Sequence, residues 1–122
     1  MSLYDDYRNT DYLDDVSFIA GTEFTLYFPA YDAVSKTLLN INASTAKWVL
    51  GLYGYPDNSP SILQKTASIY DANTFAVTFT SDDTINLGDD IYLQQIEITD
   101  SAGKKIRAAQ GIVIIRKAIP IT

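Results

Sequence analysis

From residue 16 to residue 115 the apolar side chains of this chain recur at every second position, in short runs separated by turn-forming residues. Period two sets alternate side chains on one face of a pleated strand, whereas a helix needs a period of about 3.6. Phe24, Leu26 and Phe28 alternate with Thr25 and Tyr27, and Phe75, Val77 and Phe79 alternate with Ala76, Thr78 and Thr80. Ala46, Trp48, Leu50 and Leu52 mark a longer inward face, with Trp48 as the expected centre of the core. Pro29 ends its run, which suits an edge position or a bulge because proline cannot donate to the ladder.

The breaks between runs are equally informative. Turns are expected at 32–36, 54–60, 71–73 and 100–103, where Gly, Pro, Asn, Asp and Ser gather and each supplies turn geometry. Between the runs at 37–44, Leu39 and Ile41 resume the apolar side. Residues 62–70 read as one strand forming a hairpin with 75–79, and the polar stretch 81–87, with Ile85 and Leu87 spaced along it, suits one helical turn. Residues 91–99 and 106–115 read as a closing hairpin whose turn uses Gly103 for positive φ. About seven short strands with regular turns predict an antiparallel β-sandwich, in preference to a small closed barrel.

The 122 residues suit one domain, and 47% hydrophobic with 20% charged residues is ordinary globular composition. No repeat and no interior boundary divides the sandwich, which is expected over 16–122. Residues 1–15 are rich in Asp and Tyr without an apolar period, and read as an acidic arm outside the sandwich. The N-terminal stretch lacks the basic start and apolar run of a secretory signal, and nothing approaches the ~20 apolar residues of a membrane span. The expectation is a chain made in the cytoplasm without export or membrane insertion.

The net charge of −6 argues against nucleic acid, since phosphate binding draws on clustered Lys and Arg. The densest basic group, Lys104, Lys105 and Arg107, reads as a solvated hairpin end. With no Cys, neither disulfides nor thiolate sites are available. With no His, the commonest general base and metal ligand is missing. No nucleophile elbow or glycine-rich phosphate loop appears either, and the expectation is a protein that is not an enzyme and carries no cofactor.

The acidic doublets Asp14–Asp15, Asp82–Asp83 and Asp89–Asp90 are the remaining candidates for acid–base work. Neighbours in a strand point to opposite faces, so these read as turn residues instead. Asp5, Asp6, Asp11, Asp14 and Asp15 offer oxygen ligands to a hard cation, but in no calcium-loop spacing, and no metal site is expected. Tyr53 and Tyr55 flank the 54–60 loop and are the candidate surface aromatics, able to stack on a sugar ring or to enter a protein interface.

The C-terminal half carries a resemblance. Gly88, Ile91, Tyr92, Gln94, Ile96, Ile98 and Thr99, then the turn Asp100 to Lys104 with Gly103, then Gln110, Gly111, Ile112 and Val113, resemble the closing strands of immunoglobulin-like phage tail and baseplate domains. Gly21, Phe24, Leu26 and Phe28 resemble the opening strand of the same family, and residues 46–52 the strand with its core aromatic. The likeness spans about residues 16–118 and is greatest to the N-terminal domain of the phage baseplate upper protein. It implies an immunoglobulin-like sandwich acting as a structural, non-catalytic component of a phage or prophage particle, a tail or baseplate part. Its implied partners are other virion proteins, with homo-oligomerisation among the expectations. A carbohydrate-binding module is the alternative.

Overall fold

The computed structural model describes residues 12–31, 35, 37–53 and 61–121. Tyr55, the 54–60 loop, most of the 32–36 turn and residues 1–11 of the arm, with Asp5, Asp6 and Asp11, lie outside the described residues.

The period-two segments form strands where the alternation places them. In chain order these are β1 (Val16–Ile19), β2 (Phe24–Pro29), β3 (Thr45–Leu52), β4 (Leu63–Thr66), β5 (Ser68–Asp71), β6 (Thr74–Phe79), β7 (Asp90–Thr99) and β8 (Lys105–Arg116). One helical turn, α1 (Ser81–Thr84), precedes β7. They build a five-stranded sheet, β1-β8-β7-β3-β4, facing a three-stranded sheet, β2-β6-β5. β1 runs parallel to β8, and the other pairings are antiparallel. Pro29 ends β2 on a sheet edge, where its missing N–H costs no ladder bond.

The single strand expected at 62–70 is two strands in different sheets. Ala67 N donates to Ala46 O at 3.0 Å, and beyond it the chain leaves β3 and joins β6. β4 alternates between half-buried and exposed positions, whereas β5 is exposed throughout, and no Gly, Pro, Asn or Asp marks the crossing between them.

Between the sheets the aromatic residues form a chain of contacts. Phe18 meets Phe24 at 4.5 Å, Phe24 stacks on Phe79 at 4.8 Å, and Trp48 meets the Phe79 ring edge-on at 4.9 Å. Such pairs add to the burial of large apolar area in holding two sheets together. Trp48 lies in the core as expected, and Ile41, outside any strand, is fully buried in the same core.

Two further details tie β7 into the core. Tyr92 near its start donates its hydroxyl back to Gly88 O at 3.0 Å, a tyrosine corner. Two residues later, at the position where antibody domains hold their second sheet-bridging cysteine, Gln94 accepts the Trp48 indole N–H. The chain is an all-β, immunoglobulin-like antiparallel sandwich.

Residues 12–15 do not stand clear of this body. Leu13 N donates to Gln110 O at 2.7 Å, Tyr12 bridges Gln110 in parallel, and the Leu13 side chain packs against the core. Gly111 permits that approach, because a Cβ there would lie 2.7 Å from Leu13 Cβ. The segment extends β1 backwards along β8.

Candidate functional site: the outer face of the five-stranded sheet

Register decides which side chains point outward from the large sheet. On β8 the buried positions are Arg107, Ala109, Gly111, Val113 and Ile115, so the intervening residues face away from the core. On β7 the inward positions are Tyr92, Gln94, Ile96 and Ile98, which leaves Ile91, Leu93, Gln95 and Glu97 outside. The ladder pairs Ile91 with Ile114, Leu93 with Ile112, Gln95 with Gln110 and Glu97 with Ala108. The outer face is therefore divided. One end is aliphatic, and the other is polar, with Lys47 across from Glu97 and Lys105 bonded to Glu97 at 3.2 Å.

An antiparallel sheet with one solvated face ordinarily alternates apolar-in with polar-out. The aliphatic end breaks that rule, and the sequence holds the signal: Ile112, Val113, Ile114 and Ile115 are apolar on both phases. An unbroken apolar run of that kind reports a strand covered on both faces. Alternation judged on the inward phase alone conceals this run.

Tyr53 extends this face beyond the end of β3. Its backbone N–H reaches Ile91 O at 3.3 Å, and the residue is 54% exposed. Tyr53, Tyr12, Asp15, Leu93, Gln110 and Ile112 line a shallow groove of about 240 Å³. The groove has an aliphatic floor, an exposed phenol at either side, one carboxylate and one amide. Of the two candidate tyrosines the structure thus brings Tyr53 to a site, and Tyr55 lies outside the described residues.

The acidic residues serve local structure. Asp83 Oδ2 accepts from Thr80 N at 2.8 Å and from Lys65 Nζ at 2.5 Å, joining α1 to β4. The Lys65 hydrogen bond, followed by that from Thr80, holds the Asp83 carboxyl below its ordinary value. Asp100 accepts from Ala102 N and Lys104 N in the closing turn, where Gly103 has φ +85°. Asp89 accepts from Lys117 N beside the end of β8. Asp14, Asp15, Asp71 and Glu97 each line a different hollow. Among the described residues no cluster of three His, Cys, Asp or Glu could hold a metal. Burial, reinforced by the Asp90 charge and to a lesser degree by Asp89, raises the Tyr92 hydroxyl above its ordinary value.

Arg107 is a correction to the sequence reading. Lys104 and Lys105 are exposed as a hairpin end should be, but Arg107 is only 5% exposed. Its guanidinium donates to Pro29 O and to the Tyr31 hydroxyl, the latter at 2.9 Å, and lies 4.1 Å from the Tyr31 ring centroid. It thereby clamps β8 to the end of β2, across the open edge of the sandwich. Its odd position, in phase with Ala109, Gly111 and Val113, was the available clue; its charge argued the other way.

No protein-family model matches the sequence, and no curated protein matches it. Among solved structures, the soluble domain of PmoD from Methylocystis sp. is similar with a TM-score of 0.48 and 15% identity, covering 91% of this chain and 84% of that one. The extracellular domain of mouse leukocyte-associated immunoglobulin-like receptor 1, solved as a strand-swapped dimer, is similar with a TM-score of 0.35 and 12% identity, covering 88% and 87%. Neither likeness is close enough to carry an argument about function.

Proposed function

We propose that this chain is a non-enzymatic building block of a phage or prophage particle, a tail or baseplate sandwich that docks on a neighbouring virion subunit through the outer face of its five-stranded sheet. One observation supports the docking role above the others: Ile91, Leu93, Ile112 and Ile114 lie side by side on the face turned away from the second sheet. A contiguous apolar surface on a domain marks a contact site, where single scattered apolar residues do not. The assignment to a particle draws on the sequence resemblance of β2, β3 and the β7–β8 hairpin, since a sandwich by itself serves many unrelated roles. A chain without His or Cys also suits a part whose task is shape and contact.

Mass spectrometry of tailed particles purified from the bacterium that encodes the chain tests the reading. The chain should be present in a fixed ratio to tail or baseplate proteins. Presence in the cell lysate but absence from the particles would overturn it. The genes beside its own give an independent check, with virion neighbours expected.

A carbohydrate-binding role is the second reading, favoured by the groove in which Tyr12 and Tyr53 flank Leu93 and Ile112 beside Asp15. Phenol faces stack on sugar rings, and a carboxylate accepts from their hydroxyls. A glycan array probed with the wild type and Tyr53→Ala separates the two: glycan binding lost in the variant supports it, and no binding by the wild type removes it.

A further inference from the structure

We infer that the outer face of the five-stranded sheet pairs with the same face of a second copy of this chain, about a two-fold axis that runs along the strands between β7 and β8. The inference rests on the docking role given to that face above and names one occupant for it. A face-to-face pair about such an axis sets each copy's β7 over the other's β8, at the same level along the strands. The ladder fixes which residues share a level, so complementarity can be checked row by row.

The two central columns are aliphatic at both rows of the apolar end. Ile91 of one copy would cover Ile114 of the other, and Leu93 would cover Ile112, so like meets like without a polar intrusion. The outer columns match large with small. Tyr53 follows Leu52, which pairs with Tyr92, and so stands level with Ile91, Ile114 and Ser17. The exposed phenol of each copy therefore lies over the small exposed Ser17 of the other. One row along, Gly51 is level with Leu93 and Ile112, and a Cβ at Gly51 would meet nothing within 4 Å.

The charges at the end of the patch are complementary in the same sense. Asp90 pairs with Ile115, so Asp89 stands level with Arg116 on the adjacent strand, where it accepts from Lys117 N. Arg116 and Asp89 are both exposed. The two-fold carries each copy's Arg116 over the other's Asp89, giving two opposite-charge contacts related by symmetry. A chain of net charge −6 repels its own copy over most of its surface, and this face offers two aliphatic central columns with complementary charges at one end.

Sedimentation equilibrium of the full chain, from about 1 µM to about 1 mM, is the test, this being the range in which weak and standard interfaces assemble. The wild type should dimerise. Ile91→Lys, at a half-exposed position outside the core, should weaken the dimer ~100-fold or more while keeping the wild-type melt at concentrations where both are monomers, as charging a central contact does. Tyr53→Ala, which removes only an exposed ring, should weaken it ~10-fold. Arg116→Glu should lose self-association yet dimerise when mixed with Asp89→Arg, an outcome that a merely structural effect does not give. Tyr70→Ala, on the opposite sheet, should change nothing. A wild type that stays monomeric throughout, or a dimer insensitive to Ile91→Lys, would overturn the inference. A monomer that still enters particles retires self-pairing and leaves the docking role standing; a dimer absent from particles does the reverse.

Discussion

The indole N–H of Trp48 donates to the side-chain oxygen of Gln94 at 2.8 Å, and the two residues are 2% and 1% exposed. The bond joins β3 to β7 within one sheet, at the position where a disulfide crosses between sheets in antibody domains. A buried donor without its acceptor loses the full cost of desolvation.

Gln94→Leu keeps the volume but orphans the indole N–H, and should cost about 1–3 kcal/mol in urea unfolding. Trp48→Phe orphans the Gln94 amide and opens a void, and should cost about 2–4 kcal/mol. The double variant removes both halves of the bond. It should cost less than the sum of the two, and strict additivity would show that the bond contributes nothing of its own.

Gly111→Ala drives a methyl group into Leu13, 2.7 Å from its Cβ and 2.9 Å from its carbonyl oxygen. The expected loss is about 1–3 kcal/mol, as for other overpacked sites. Because the clashing atoms are the Leu13 Cβ and its backbone, all of which alanine keeps, Leu13→Ala should not restore stability. Hydrogen exchange reads the local effect: the Leu13 amide, bonded to Gln110 O in the wild type, should exchange faster in the variant than the amides of β7.

Asp83 makes stability depend on acid. Its carboxyl titrates below the ordinary 3.8 in the folded chain, held down first by Lys65 and then by Thr80 N. Its contribution is therefore complete above the unfolded pKa and lost as pH falls through the lower folded one. Asp83→Asn should destabilise the protein by about 1 kcal/mol at pH 7 and flatten the decline of its melting temperature below pH 4. An identical acid profile in the two proteins would exclude this role.

Arg107 holds the open edge through its fork of donors. Arg107→Met should cost about 1–3 kcal/mol, since it removes the buried guanidinium that donates to the half-buried Tyr31 hydroxyl and to Pro29 O. Arg107→Lys should recover less than half of the loss, because an ammonium cannot reproduce the planar fork stacked on Tyr31. Equilibrium denaturation of the three proteins measures both.

Local chemistry made much of this fold legible. The turn at 100–103 follows from Asp100 and Gly103, the bend at 71–73 from Asp71, whose carboxylate accepts from Asn73 N, and the core position of Trp48 from its phase with Ala46 and Leu50. What escaped depends on partners distant in sequence. At Ala67 the chain passes from Ala46 on β3 to Ala76 on β6, and no Gly, Pro or Asn in the sequence there marks the change of sheet. Arg107 was misread because its charge outweighed its phase. The aliphatic outer face was written openly in residues 112–115 and would have been found by asking about both faces of the strand.

The parallel pairing of β1 with β8 bears on how the domain carries mechanical load. Val16 lies beside Val113 and Ile19 beside Arg116, so the chain enters β1 at one end of the shared ladder and leaves β8 at the other. Tension applied through the flanking segments then pulls the two strands lengthwise past each other. Every bond between them resists together, where a hairpin pulled at its open ends would unzip one bond at a time. Such a sandwich transmits a pull along its strands while keeping its sheet faces in register.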